Sequence, residues 1–414
     1  MLKNYIKLAW KVLKRKKLYT AVILFNIVIT LSILNLILAF TNHFWGNTTV
    51  QKNFDRVLCI QDLHLYNNGN HPRNYRSSVS YPFIDKYIKT LKTPEKIGFA
   101  TMFFAVDNIF QYKKGKRHKL KIRYCDNNYL EILNFKFIEG RPFTDKDIET
   151  NDLIAVIDSK TRDINFNGNN CVGKYIKIRN ISHRVIGVVE NVDMLKLAGY
   201  SNIWLPYTHQ KHQEDFFFAG PFEVFLMAKN KNDLGLIQKE LETMVSKIDF
   251  PDPERFNAIE ISAEPYLYDL LKQPFGEKGS VQIILTNISL IFLVLYFWLP
   301  VINLINVNTN RIFERASEIG ARKSFGATVS AITRQFIIEN MFVTLIGLVI
   351  SLILSVLLII IFNSLNLIPN TTLALGWGVF IKSFICSLLL GFFSSYFPAR
   401  RLAKLKIVES LYTE

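Results

Sequence analysis

The sequence predicts an α-helical membrane protein with four transmembrane helices and one α+β extracytoplasmic domain inserted between the first and second of them. Three observations predict it. Four apolar stretches are each long enough to cross a bilayer. Half of the 414 residues are hydrophobic, yet 20% are charged, which suits spans joined to a sizeable water-facing part. The positive charge is also uneven. Of the formal net +16, residues 41–280 carry only +4, so most of the excess flanks the apolar stretches. That is the pattern of the positive-inside rule and not of a nucleic-acid-binding face.

A hydrocarbon core about 30 Å thick takes about 20 apolar residues in a helix. The qualifying stretches are Leu18–Phe40, Val281–Ile305, Phe336–Phe362 and Leu373–Phe397. Only Glu339 and Lys382 bring charge into them, and both can reach an interface or a helix partner. Lys14-Arg15-Lys16-Lys17 looks like the start of a signal peptide. The apolar run behind it is too long, however, and lacks a small-x-small exit, so an uncleaved anchor is expected. Basic residues crowd three flanks: Lys3 to Lys17, Arg311 to Arg334, and Arg400 to Lys406, whereas Asn363–Thr372 has no charge. With both termini cytoplasmic all three basic flanks lie inside and the insert lies outside. Residues 2–16 read as an amphipathic helix on membrane lipid, with Leu2, Ile6, Ala9, Trp10 and Leu13 opposite lysines. The expected domains are therefore 1–45 (N-terminus and first span), 46–280 (extracytoplasmic) and 281–414 (three spans, with a cytoplasmic loop at 306–335).

In the insert, apolar and β-branched runs suggest strands near 55–62, 97–110, 117–125, 153–158, 174–179, 183–190 and 222–228. Helix-like stretches fall at Phe83–Leu91, Asn127–Leu133 and Asp233–Ile248, the last with Leu234, Ile237, Leu241, Met244 and Ile248 on one face. Cys59, Cys125, Cys171 and Cys386 show no metal-ligand spacing and read as small buried hydrophobes. Gly168-Asn-Asn-Cys-Val-Gly173-Lys174-Tyr175 matches a phosphate-cradling loop except where a Ser or Thr should hold Mg²⁺. Tyr175-Ile-Lys-Ile-Arg alternates like a strand, so a turn entering a strand is the better account. His209 and His212 have i, i+3 spacing but read as a solvated loop pair. No nucleophile-and-base arrangement, metal set or cofactor motif argues for an ectoenzyme.

The most specific segment is Asn303–Glu339. Glu318 and Arg322 form a favourable i, i+4 pair, Gly326 suits the left-handed residue that ends a helix, and Thr328 suits the N-cap of the next. The order Glu314-Arg315-x-x-Glu318-Ile319-Gly320-x-Arg322-Lys323-x-x-Gly326-Ala327, followed by Gln335-Phe336-x-x-Glu339, resembles the signature of MacB/FtsX-type ABC transporter permeases. Gly140-Arg141-Pro142-Phe143-Thr144-x-x-Asp147 resembles a step in the MacB-like core. Ile154–Ile157, Val172-Gly173-Lys174 and Val185–Val189 follow in that core's order, and Pro398-Ala399-Arg400-Arg401-x-Ala403 with Glu409-Ser410-Leu411 resembles the family's ending.

The resemblance covers essentially the whole chain and implies the same plan of one span, a periplasmic domain and three spans. It implies an inner-membrane, multi-pass permease subunit without catalysis or cofactor of its own. Such subunits work as dimers, with a second copy or a close paralogue, on a cytoplasmic ATPase that binds ATP and Mg²⁺. A periplasmic adaptor or outer-membrane channel is a further partner; nucleic acid is not. By matching positions, Glu314, Arg315, Glu318, Ile319, Gly320, Arg322, Lys323, Gly326 and Ala327 form or shape the ATPase-coupling loop. Only 17 residues precede the first span, so the ATPase is expected on a separate polypeptide. Export or efflux of a drug, peptide or lipid-linked molecule is the leading expectation. The alternatives are lipoprotein release and an FtsX-like transmitter that regulates a cell-wall hydrolase; the large insert favours the MacB side.

Overall fold

The computed structural model describes residues 17–45, 52–67, 73–113, 115–210, 217–266, 302, 320–322 and 324–403. The chain divides into two compact units. One comprises 47–278 and 368–371; the other comprises 1–46, 279–367 and 372–414. Apart from Ile302, the expected second span, 281–305, lies outside the described residues, as does the amphipathic segment 2–16.

The helical unit opens with α1 (Lys17–Trp45), 29 residues long, against the 23 of its apolar stretch. Among its described residues the larger unit then runs through fifteen strands and five α-helices. Its strands are β1 (Val57–Ile60), β2 (Leu63–Asn67), β3 (Arg73–Val79), β4 (Lys96–Thr101), β5 (Asp107–Lys113), β6 (Lys116–Cys125), β7 (Phe137–Gly140), β8 (Ile154–Asp158), β9 (Tyr175–Ile178), β10 (Ile181–Val189), β11 (Ile203–Pro206), β12 (Ala219–Gly220), β13 (Phe222–Met227), β14 (Ala258–Ile261) and β15 (Glu264–Pro265). The main path of the sheet is β14-β2-β3-β13-β4-β6-β11-β8-β10-β7, with β1 beside β13, β5 beside β6 and β9 beside β10. Two pairs, β6–β11 and β8–β10, are parallel; the hairpins β2–β3, β5–β6 and β9–β10 are antiparallel.

The central strands are buried on both faces, which explains their near-continuous apolar runs. In β13, Phe222, Val224 and Leu226 enter one core while Phe225 and Met227 enter the other. β1 divides the same way, with Leu58 and Ile60 on one side and Val57 and Cys59 on the other. Three of the cysteines, Cys59, Cys125 and Cys171, are buried, as the small-hydrophobe reading expects.

Four of the described helices of this unit start where a side chain satisfies one of the first N–H groups. Ser80 caps α2 (Tyr81–Lys86), Asp126 caps α3 (Asn127–Ile132), Thr144 caps α4 (Asp145–Glu149) and Asp158 caps α5 (Ser159–Phe166). Helix α6 (Leu234–Val245) buries Ile237 and Leu241, two residues of its expected face.

The structure corrects several boundaries. The stretch 97–110 is two strands, because a 3₁₀ turn at Phe103–Ala105 lets β4 stay in the sheet centre while β5 folds back on β6. The helix expected over Phe83–Leu91 begins at Tyr81 and tightens to 3₁₀ at Ile88–Thr90. Helix α7 (Val329–Leu365) extends the expected third span at both ends, and Thr328 is its N-cap. Helix α8 (Trp377–Ala403) starts four residues later than the expected fourth span does. The Leu373 N–H and C=O are bonded to the Asn363 side chain, at 3.0 and 2.9 Å, so they do not enter the helix.

Candidate coupling site and membrane-helix seams

Of the expected coupling residues, Gly320, Arg322, Gly326 and Ala327 are described; Glu314, Arg315, Glu318, Ile319 and Lys323 lie outside the described residues. Gly320–Arg322 and Ser324 are helical. The Ser324 hydroxyl donates to the Gly320 carbonyl at 3.1 Å. The helix then closes as the sequence expects. Gly326 has φ +85°, and the Ala327 N–H reaches back to the Arg322 carbonyl at 3.0 Å. A left-handed glycine with that long backward bond is the Schellman ending. The Arg322 guanidinium donates to Gln335 Oε1 at 2.7 Å, tying this turn to the first residues of α7. The arrangement leaves Phe325 92% exposed at the corner. Sequence reading passed over Phe325; an aromatic directly before a C-terminal glycine was the available signal. One helical turn further along α7, Glu339 and Asn340 are buried.

The helical unit is joined by small and neutral polar side chains that the sequence reading did not single out. Asn35 of α1 is fully buried. Its amide donates to Ser355 Oγ at 3.1 Å and Ser351 Oγ at 3.5 Å on α7, and its carbonyl oxygen accepts from the Ser383 hydroxyl of α8. One side chain thus touches all three helices. Asn340 of α7 donates to the Gly391 carbonyl at 2.9 Å and to Ser394 Oγ at 3.2 Å on α8. Glycines bring the backbones close. A Cβ on Gly347 would lie 2.4 Å from Ile27 Cγ2, and one on Gly391 would lie 3.2 Å from Thr344 Oγ1. Lone polar residues in apolar runs are the signal for such seams.

In the larger unit, the Gly140–Asp147 motif is structural. Gly140 has φ +70°, and a Cβ there would meet the Ile186 carbonyl oxygen at 2.0 Å. Arg141 grips Asp147 with two hydrogen bonds, 2.5 and 3.0 Å, and Asp147 completes a capping box with Thr144. The Arg141 bond, aided by Thr144, holds the Asp147 carboxyl well below the usual carboxylate range. Arg123 is fully buried. It donates to Tyr129 Oη at 2.9 Å and the Leu197 carbonyl at 3.0 Å, and lies 3.5 Å from Glu223. The phosphate-loop look-alike is a turn that leads into β9, as its alternation predicts. His209 packs near His183, with ring centroids 5.5 Å apart, while His212 lies outside the described residues. Among the described residues no group of His, Cys, Asp and Glu could hold a metal ion.

Residues 20–244 match the family model of the MacB-like periplasmic core domain, and residues 281–407 match that of the FtsX-like permease C-terminal domain. The chain belongs to the MacB/FtsX-type permease family. A macrolide export ATP-binding/permease protein MacB of Pasteurella multocida is 26% identical over 289 residues, covering 69% of this chain and 42% of that protein. A probable export ATP-binding/permease protein of Pseudomonas fluorescens is 27% identical over 303 residues, covering 68% and 41%. This permease spans about two fifths of the length of the curated relatives it matches. Among solved structures, the periplasmic region of MacB from Actinobacillus actinomycetemcomitans has a TM-score of 0.37 at 13% identity, covering 56% of this chain and 99% of that one. The extracellular domain of the ABC-type transporter YknZ from Gram-positive bacteria has 0.35 at 15%, covering 49% and 98%. The three described apolar helices, each long enough to cross a bilayer, and the α+β unit are those of a membrane permease with an extracytoplasmic domain.

Proposed function

We propose that this permease is the transmembrane subunit of an ABC complex, coupling ATP hydrolysis by a cytoplasmic ATPase to conformational change in its periplasmic domain. The reading places four spans in the inner membrane with both termini inside. It pairs the chain with a second copy or close paralogue and sets the 306–335 loop on the ATPase. Export of a drug, peptide or lipid-linked molecule is the output. Glu314, Arg315, Glu318, Ile319 and Lys323 complete the coupling element with Gly320, Arg322, Gly326 and Ala327.

The observation that carries the reading is the closed turn at Gly320–Ala327. It is rigidly ended by Gly326, tied to α7 through Arg322 and Gln335, and presents Phe325 to solvent. A push on such a corner passes into a membrane helix instead of being absorbed by a loose loop. An exposed phenylalanine is the kind of anchor that fills a partner's pocket. The test is gentle purification of the tagged protein from native membranes. An ATPase in roughly equal amount is expected. Phe325→Asp should remove it, and Gly326→Asp, which strains the left-handed position, should keep ATPase turnover but lose its link to transport. Co-purification unchanged by Phe325→Asp, with transport intact in both variants, would refute the assignment.

A further inference from the structure

The β5–β6 ribbon has a surface that the coupling reading does not use. Its register sets Asn108 opposite Lys121, Phe110 opposite Lys119 and Tyr112 opposite Arg117. Because side chains alternate along a strand, these six project from one face. The Arg117 guanidinium lies 3.8 Å from the Phe110 ring centre, and Lys121 Nζ lies 3.6 Å from that of Phe103. Between Asp107 and Asp126 the sequence has seven cations and no carboxylate. Lysines on an edge strand deter unwanted pairing, which would account for the cations. They do not account for the rings beside them: Tyr112 is 75% exposed, Tyr175 65% and Phe110 49%.

Next to this face, β5, β9 and the end of α5 line a groove of about 710 Å³. Its walls are braced before any ligand arrives. Gln111 Nε2 donates to the Lys177 carbonyl at 3.3 Å, Asn165 Nδ2 donates to Gln111 Oε1 at 3.1 Å, and Arg179 pairs with Asp107 at 2.8 Å. Among the described residues its lining holds four amide side chains, tyrosine and phenylalanine rings and three cations, with no acid.

We propose that this groove binds an anionic glycan, a sugar chain bearing carboxylate or phosphate groups. Each lining type has a counterpart in that ligand. Amides donate and accept at once, as paired hydroxyls require. Ring faces pack on the apolar face of a pyranose, and they bring large contact area at low entropic cost. Lys113 and Lys177, with Arg179 beside its partner Asp107, draw and hold the negative groups. An added peptide strand is a poorer occupant, because Gln111 already caps the β9 edge at Lys177.

The test is calorimetric titration of the full-length protein in detergent with four probes: octagalacturonate, neutral maltooctaose, octaglutamate and a single-stranded DNA octamer. Octagalacturonate should bind, and maltooctaose should bind at least about ten-fold more weakly. Tyr112→Ala and Tyr175→Ala, which leave the charge unchanged, should each weaken octagalacturonate about ten-fold, the usual loss for one stacking ring, while Tyr112→Phe retains it. Both rings are mostly exposed, and unchanged thermal unfolding will confirm that the variants fold. The proposal is overturned if octagalacturonate does not bind, if the alanine variants bind it as the parent does, or if octaglutamate or the DNA octamer binds as tightly. None of these outcomes involves the ATPase, so the coupling proposal stands or falls separately.

Discussion

Asn35→Ala should loosen the described helical unit more than any other single truncation of a neutral side chain there. The amide is fully buried and contacts Ser355, Ser351 and Ser383, so the change removes one donor and one acceptor that join three helices. Inter-helix hydrogen bonds in bilayers contribute about 0.6 kcal/mol on average, well below what their burial would suggest. Three such contacts, one of them long at 3.5 Å, give a loss of about 1–2 kcal/mol. Two of the three serines are not stranded. Ser355 already donates to the Ser351 carbonyl at 2.6 Å and Ser351 to the Leu348 carbonyl at 2.8 Å, which keeps the loss at that modest level. The assay is reversible unfolding of the bicelle-held protein by SDS, followed by circular dichroism. Asn26→Ala is the control, since among the described residues Asn26 bonds within its own helix, to the Val22 carbonyl at 3.1 Å, and should change little. If both variants lost the same stability, or Asn35→Ala lost less than about 0.3 kcal/mol, the three-helix seam would not be what holds the unit together.

Gly140→Ala should destabilise the periplasmic domain by several kcal/mol, about 3 or more. The added Cβ meets the Ile186 carbonyl at 2.0 Å in a backbone with φ +70°, and a lowered thermal midpoint would register it. Asp147→Asn breaks the Arg141 grip and weakens the α4 cap. Arg141 is half exposed, so about 1–2 kcal/mol is expected near neutrality. Because the native carboxyl titrates below its ordinary value, that difference should be present above pH 4 and vanish as acid protonates Asp147. Asp126→Asn should act with the opposite sign. Burial raises the Asp126 carboxyl to about 7, so the native protein loses stability as pH rises from about 4 to 7. Asparagine keeps the Phe99 and Tyr129 N–H bonds, which both go to Oδ1, and should gain up to ~4 kcal/mol over the parent across that window; parallel pH–stability curves would refute this.

What was legible in the sequence was whatever is decided locally. Gly326 and Thr328 announce a helix end and a helix start, and the structure uses both so. The runs around 154–158 and 222–227 read as strands because burial on both faces leaves no polar alternation to dilute the signal. β3 was missed because Arg-Asn-Tyr-Arg-Ser-Ser-Val carries no apolar period; its place is fixed by the ladder to β2. β11 is four residues, too short for any pattern, and is held between β6 and β8. Asn35 could be flagged as a polar residue in a span. Its partners, 316 to 348 residues away, could not be named from the sequence. The Gly140–Asp147 step was visible as a motif, but its cause, a carbonyl oxygen where a Cβ would sit, exists only in three dimensions.

The two units lean on different buried polar contacts. The periplasmic unit buries charge: Arg123 against Glu223 and Tyr129, and Asp147 under Arg141. Removing one partner of the fully buried Arg123–Glu223 pair is strongly destabilising, which fixes a single packing. The helical unit, beside the buried Glu339, joins its described helices through Asn, Ser, Thr and Gly, whose mutual bonds are weak and whose hydroxyls can fall back on their own helix one turn away. Exchanging one set of such bonds for another has a small free-energy difference. A permease that must move between states needs helices that re-register at low cost and an external domain that keeps its shape while they do. Replacing Ser351, Ser355 and Ser383 together by alanine tests that division: the external domain should unfold at its original temperature, while transport should be lost with the seam.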